Sequence, residues 1–166
     1  MCQELLERIS SFARNDRGVQ LVELALVLPL LVVLFAAAAE FGRYFYEYTT
    51  LAKSSRTAVR YLATKAPCND PEAKKLVVYG NLAGTGSPVM YGLTTSNVEI
   101  KRYDKDGNEV TGGVPATVTI NIIDFQHTSL FKLGQLTKTS ATLDVAVKPS
   151  VTMRYLLTQP PIGGCP

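Results

Sequence analysis

One carboxylate, Glu23, lies near the start of an otherwise apolar run, and a glycine, Gly18, precedes it by five residues. An ionised side chain inside a bilayer costs about 2.5–3.5 kcal/mol on insertion scales, so a Glu in such a run is a candidate functional residue. If the chain were cut after Gly18, Val19 would become the first residue of the product and Glu23 the fifth. This charge, at this spacing, is the feature of the sequence that most needs an explanation.

Other residues that could take part in catalysis or metal binding lack the partners that such a site requires. His127 is the only histidine, and neither a cysteine nor a second histidine stands at a ligand spacing from it. Asp104, Asp106 and Asn108 cluster oxygen atoms, but the EF-hand needs Gly at loop position six and Glu at twelve, so Asp106-Gly107 predicts a hairpin turn instead. No glycine-rich phosphate loop is present. The sequence predicts no enzyme, metal or cofactor.

The apolar run is long enough to cross a membrane. Leu24 to Ala39 are sixteen uncharged residues, which span about 24 Å as a helix, and starting at Leu21 brings the length close to the roughly 30 Å of a hydrocarbon core. We expect a transmembrane segment at about 21–43. Aromatic residues that prefer the headgroup layer follow it, namely Tyr44, Phe45, Tyr46 and Tyr48.

Pro29 lies inside this segment. It removes one helix hydrogen bond and crowds the carbonyl of Ala25, so a kink or a loosened turn is expected. Such a kink either has no function or provides a flexible point that lets the helix leave the bilayer and enter a bundle.

The same residues resemble two related signatures. Gly18 and Glu23, at the start of an apolar helix, resemble the class III signal of type IV pilins and pseudopilins. A longer string is similar to the TadE-like segment of pseudopilins in the tight-adherence (Tad/Flp) pilus system, namely Glu23, Pro29, Glu40-Phe41-Gly42-Arg43 and Arg60. Major Flp pilins carry a Tyr after the Glu and little beyond the helix. This chain has Leu24 there and about a hundred further residues, so the resemblance indicates a minor pseudopilin.

The resemblance implies partners, a function and a location. A prepilin peptidase would cut between Gly18 and Val19, and Glu23 would meet the freed N-terminal amine of a neighbouring subunit. The protein would work in assembly or initiation of a Tad/Flp-type IV pilus, by binding and not by catalysis. Its implied partners are the peptidase, other pseudopilins and pilus subunits, the inner-membrane assembly platform and membrane lipid. The implied location is the bacterial inner membrane, with the N-terminus cytoplasmic and the C-terminal domain periplasmic or incorporated in the pilus.

Three alternatives stay open at the level of the sequence. Glu23 could simply mark the cytoplasmic edge of the span. The chain could be an uncleaved single-pass adaptor or binding protein with an extracytoplasmic domain. Ala37-Ala38-Ala39 before Glu40 could be a signal peptidase site that releases a soluble domain. Lys and Arg occur on both sides of the span and do not fix its orientation. The net charge of +3 includes no basic run with interleaved aromatics, so nucleic-acid binding is not predicted.

The predicted fold is α+β and pilin-like, with a long N-terminal helix packed on a small antiparallel sheet and one additional helix. Its segments are a cytoplasmic leader (1–18) that is removed, a helix (19–64), and an extracytoplasmic domain (65–166). Beyond the membrane, residues at alternating steps of four and three form a stripe expected to pack on the domain. The stripe consists of Phe41, Phe45, Tyr48, Ala52, Ser55, Val59 and Leu62.

Local signals predict the elements of the domain. Asp70 can cap the free helix amides and Pro71 suits the first helical position, so a second helix is expected at 71–82, with Gly84 and Gly86 after it. Strands are expected at 98–103, 116–123 and 142–147, the last with an extension toward Met153, and 124–140 is interpreted as an exposed loop. The middle strand shows the alternation of a half-buried strand.

Cys68 and Cys165 are the cysteines outside the leader, which contains Cys2. An even pair in an oxidising compartment suggests a disulfide. It would join the end of the long helix to the C-terminal tail, with about 4–5 kcal/mol from the chain-entropy model. The alternative is two unrelated thiols.

Overall fold

The computed structural model of the protein describes residues 16–65, 69–111, 114–130 and 144–157. Its long N-terminal helix, further helix and three-stranded antiparallel sheet confirm the predicted α+β class. The contacts divide the chain after Phe41, and residues from Gly42 onward, called the C-terminal domain below, form the larger unit. The elements in chain order are helix α1 (Asp16–Ala63), helix α2 (Asp70–Tyr79), a 3₁₀ turn (Thr95–Asn97), and strands β1 (Val98–Tyr103), β2 (Thr117–Ile122) and β3 (Ser150–Arg154).

Helix α1 is 48 residues long and continues through Pro29. Leu and Ala, which are strong helix formers, dominate its apolar part and offset the bond that proline cannot donate. The kink expected at Pro29 stays a prediction. At the C-terminal end, the amide and the hydroxyl of Thr64 both donate to the carbonyl of Tyr61, at 3.3 and 3.1 Å. These bonds satisfy a helix-end carbonyl that has no partner within the helix.

Helix α2 is shorter than predicted because Gly80 ends it. Gly80 adopts the left-handed conformation, with φ +70°, and its amide donates to the carbonyl of Leu76 at 3.0 Å. This geometry favours glycine and closes the last turn. The expectation that Asp70 caps the helix was wrong. Asn69 holds the capping position, but its side chain does not bond to a helix amide, and Asp70 instead forms a bidentate pair with Arg102 of β1.

The sheet has the order β1-β2-β3 with both pairs antiparallel. The first two predicted strands are confirmed, with ends that agree within one residue. The third prediction was wrong in its bounds, because in the described part of 142–147 the only pairing is an isolated bridge between Ala146 and Gln126. Pro149 follows this bridge and has no N–H to donate to a ladder. Regular pairing with β2 starts at Ser150.

The Asp106-Gly107 turn is present, but it does not join β1 to β2. Gly107 has φ +85°, and the amide of Asp104 donates to the carbonyl of Asn108 at 3.0 Å. The chain then returns along one edge of β1, where Glu109 bridges Tyr103, while β2 pairs with the opposite edge. The residues after the turn therefore form a short segment beside β1, on the edge that β2 does not occupy.

The core of the C-terminal domain lies between the end of α1, α2 and the sheet. The predicted stripe is confirmed at Ala52, Ser55, Val59 and Leu62, which are buried. Its first part was wrong, because Phe41, Phe45 and Tyr48 are exposed. Within the C-terminal domain, the first buried residue of α1 is Glu47, which is 8% exposed. Buried members of the core from the three layers include Leu51, Val59, Leu62, Val77, Val78, Val118, Ile120 and Ile122.

Candidate functional site

The residues singled out from the sequence lie on the first part of α1. Gly18, Val19, Glu23 and Pro29 are all helical, and Glu23 is exposed. Among the described residues, Glu23 has no hydrogen-bond or ion-pair partner, and its neighbours along the helix are exposed apolar side chains. A carboxylate on such a surface would need a partner from elsewhere if the helix lies in a bilayer.

The apolar side chains of this helix face outward. Large hydrophobic residues from Val19 to Phe35 are between 41% and 74% exposed, a pattern typical of a membrane span and not of a core helix. Within the described residues, one helix is long and apolar enough to cross a membrane by length and composition. This single apolar N-terminal helix suggests a membrane-anchored protein.

A buried polar pair, which the sequence did not predict, holds α1 against the segment after β2. Nδ1 of His127 lies 2.8 Å from Oε2 of Glu47, with the two side chains 2% and 11% exposed. An ionised carboxylate only accepts, so the imidazole donates this hydrogen bond. Nη2 of Arg43, one helical turn before Glu47, lies 3.9 Å from Oε1. Tyr44 meets the imidazole edge-on, with ring centroids 5.9 Å apart.

The backbone around His127 fixes the position of its ring. The amide of His127 donates to the carbonyl of Val145, and the amide of Val147 donates to the carbonyl of Phe125, both at 2.9 Å. These bonds form a short antiparallel pairing on each side of the bridge between Gln126 and Ala146. The imidazole is therefore presented to α1 from a fixed backbone.

The chemistry of this pair is structural. The described residues contain no group of three or more His, Cys, Asp or Glu side chains that could hold a metal ion. The imidazole and the carboxylate are largely shielded from solvent, and Glu47 also lines a cleft with Arg43 and Tyr46. The pair instead satisfies two buried polar groups, each of which would be costly to bury alone. Sequence reasoning missed it because the partners are 80 residues apart. The one available signal was the position of Glu47, four residues before Leu51 on the buried face.

A second polar cluster joins the end of α1 to the start of α2. The hydroxyl of Tyr61 donates to Oε2 of Glu72 at 2.6 Å, and Nδ2 of Asn69 donates to the same oxygen at 2.8 Å. The hydrogen bond from Tyr61, followed by that from Asn69, lowers the pKa of Glu72 below its usual value. This cluster ties the end of α1 to the start of α2. Cys68 and Cys165 both fall outside the described residues, so the predicted disulfide stays a prediction.

The aromatic residues predicted at the headgroup layer divide into two groups. Phe45, Tyr46 and Tyr48 are exposed, as side chains that meet lipid headgroups would be. Tyr44 is partly buried and contacts His127 instead.

The fold and the helix together define a class: an α+β domain carried on one apolar N-terminal helix. Within this class, residues 18–60 match the family model described as TadE-like protein. The match includes Gly18, Glu23, Pro29 and Arg60 and confirms the resemblance over this segment. No match was found among curated proteins or among solved structures. The family suggests a protein associated with the Tad pilus that interacts with other pilus components, and it is not an enzyme family.

Proposed function

We propose that this chain is a minor pseudopilin of the bacterial inner membrane that takes part in assembly or initiation of a Tad/Flp-type IV pilus. In this proposal a prepilin peptidase removes residues 1–18, and the domain that follows the span is periplasmic. The observation that carries the proposal is Glu23, a carboxylate on an exposed apolar helix that has no partner among the described residues, in a segment that matches the TadE-like model. The family match and the apolar helix support the proposal. The cleavage after Gly18 and the docking partner of Glu23 are the parts that remain to be tested.

Gly18 supports the proposal because the fold does not require a glycine there. A Cβ at this position would meet nothing within 4 Å, and its φ is not in the left-handed region. Glycine inside a helix costs about 0.5–1 kcal/mol relative to alanine. A glycine that lowers helix stability without a packing role is consistent with a residue read by another protein, such as a peptidase.

Glu23 supports the proposal through the cost of a buried charge. After cleavage, the amine of Val19 on a neighbouring subunit would carry a positive charge at the same end of the helix. Pairing it with Glu23 would compensate a carboxylate that otherwise lies in hydrocarbon. Cleavage would therefore create the group that makes docking favourable, which links the two predicted site features in one mechanism.

The mature N-terminus tests the proposal. The protein is recovered from membranes with and without the prepilin peptidase, and its N-terminal sequence and intact mass are measured. The proposal requires a start at Val19 that depends on the peptidase. An intact Met1 would favour the uncleaved adaptor, and a start at Glu40 would indicate a secreted domain. Either of these results would overturn the proposal.

Two glycines of α1 provide a matched comparison for the cleavage site. Like Gly18, Gly42 has no atom within 4 Å of an added Cβ. Gly18→Val should block processing, because the peptidase would no longer find its glycine, while Gly42→Val should be processed normally. Equal processing of both variants would contradict the assignment of Gly18.

A second comparison tests docking. Glu23→Gln keeps the shape of the side chain and removes its charge, so it should be processed and inserted normally but fail to support piliation. Glu109→Gln removes an exposed carboxylate of the C-terminal domain and serves as the control. Normal piliation by Glu23→Gln would mean that the carboxylate only marks the edge of the span.

A further inference from the structure

A cleft of about 270 Å³ opens at the end of the C-terminal domain that contains the start of its α1 segment. Its wall includes Arg43 and Tyr46 of α1, Met90 and Tyr91 of the loop before the 3₁₀ turn, and Phe125 after β2. The surface around this cleft is called the basal surface below. Tyr91 is fully exposed and Tyr46 is 65% exposed, so two aromatic rings are accessible on the basal surface.

The basal surface lies at one end of the domain and the Asp106-Gly107 turn lies at the other. The turn follows the end of β1, where Arg102 pairs with Asp70 at the start of α2. The start of α2 is in turn bonded to Tyr61 near the end of α1. Arg43 and Tyr61 are separated by eighteen residues of α1, or about 27 Å of helix.

The sequence distance from the apolar run places the basal surface near a bilayer. Arg43 is four residues after Ala39, which ends the run, and four helical residues rise about 6 Å. The headgroup regions together add about 10–15 Å to the hydrocarbon core, so each is about 5–8 Å thick. Arg43 therefore falls within the headgroup layer. Tyr91 and Met90 line the same cleft as Arg43.

We propose that the basal surface rests in the phospholipid headgroup layer, with Tyr91 and Tyr46 as its interfacial aromatic side chains. Tyrosine has an apolar ring and a polar hydroxyl, which suit this boundary. The Arg43 side chain, which also lies 3.9 Å from Glu47, is 40% exposed, and a guanidinium can pair with the phosphates of this layer. The loop that carries Tyr91 is thus a second membrane contact, in addition to the span. The inference requires that the apolar part of α1 lies in the bilayer, and it does not depend on cleavage after Gly18 or on a pilus.

The chain has no tryptophan, so one introduced tryptophan reports on a single position. The full-length Tyr91→Trp protein is reconstituted in vesicles of phosphatidylethanolamine and phosphatidylglycerol, with and without acyl chains brominated near the headgroup. The control is Lys105→Trp in the exposed turn at the opposite end of the domain. Tyr46→Trp is a second reporter on the basal surface, in case Tyr91→Trp does not fold as judged by circular dichroism.

The basal reporters should show emission at shorter wavelength than the control. Brominated lipid should quench them several-fold more strongly, and aqueous iodide should quench them less. If the basal reporters and the control are quenched alike by iodide and neither responds to brominated lipid, the proposal is wrong. Shielding from iodide without quenching by brominated lipid would also overturn it, because protein and not lipid would then cover the surface.

Discussion

At the scale of the residue, the hydrogen bond between Glu47 and His127 should contribute measurably to the stability of the C-terminal domain. Glu47→Ala removes the acceptor and leaves a buried imidazole N–H without it, which costs about 1–3 kcal/mol. We expect a decrease of this size in the free energy of unfolding, measured by urea titration in detergent and followed by circular dichroism. Glu109→Ala, whose carboxylate is exposed beside Lys101, should change it by less than about 0.5 kcal/mol.

Replacing both partners separates the effect of the hydrogen bond from the effect of the packing of the two side chains. The double variant Glu47→Leu with His127→Leu removes the imidazole N–H together with its acceptor, so it should be more stable than Glu47→Ala. If Glu47→Ala behaves like the Glu109→Ala control, the pair does not hold α1 to the domain.

Asp104 makes the turn after β1 sensitive to acid. Its Oδ1 accepts from the amides of Asp106 and Asn108 at 2.9 and 2.8 Å. The backbone hydrogen bond from Asn108, followed by that from its side chain, lowers the pKa of Asp104 below its usual value. The contribution of Asp104 is therefore fully present above the unfolded pKa of about 3.9 and is lost as the pH falls through the lower folded value.

An NMR titration tests this directly. The amide resonances of Asp106 and Asn108 should move together with the protonation of Asp104, at a pH below the usual range of aspartate. In Asp104→Asn this transition should disappear. A midpoint at or above the value of an unfolded aspartate would contradict the prediction.

The same residues show what a sequence does and does not reveal about a site. Glu23 is visible because a charge interrupts an apolar run, and no knowledge of the fold is needed to notice it. Glu47 is also a charge on α1, but it sits among tyrosines where a charge is unremarkable. Its significance depends on His127, and which distant residues meet is determined by the tertiary fold.

At the scale of the element, predictions succeeded where a local cause dominates. β2 alternates apolar and polar residues and was found within one residue at each end. The third strand was predicted too early, because Pro149 moves regular pairing to its C-terminal side, where Val151 and Met153 alternate with polar residues over only five residues. So short an alternation is a weak signal by itself, and the pairing with β2 defines the strand.

Gly80 and Gly42 give opposite predictions for the same substitution. At Gly80 the backbone has φ +70°, so Gly80→Ala should destabilise the C-terminal domain by about 1–2 kcal/mol. Gly42 is helical, exposed and has room for a Cβ, so Gly42→Ala should stabilise it by about 0.5–1 kcal/mol. Urea unfolding of both variants measures whether each substitution lowers or raises the free energy of unfolding. Shifts of equal sign would mean that backbone conformation does not determine the cost of a side chain at these positions.

At the scale of the whole molecule, α1 carries two apolar patterns, each typical of a different environment. The first part is apolar on all sides, as a span requires, and the second is apolar on one face, as packing on a domain requires. The transition between them was misplaced, because Phe41, Phe45 and Tyr48 continue the apolar pattern yet remain exposed. Aromatic residues suit an interface as well as a core, so their position alone does not distinguish the two.

This division predicts which fragments fold. The core cluster contains five α1 residues, Leu51, Ala58, Val59, Leu62 and Ala63, and none before Gly42. A fragment of residues 42–166 should therefore unfold cooperatively in water without the span. A fragment of residues 66–166 loses those five residues, and each large aliphatic side chain among them contributes about 1.5–3 kcal/mol on burial. Domains of this size have only about 5–15 kcal/mol of stability in total, so this fragment should show no cooperative transition by circular dichroism. A cooperative 66–166 fragment would mean that α2 and the sheet form a sufficient core alone, and that α1 is an anchor and not a structural part of the domain.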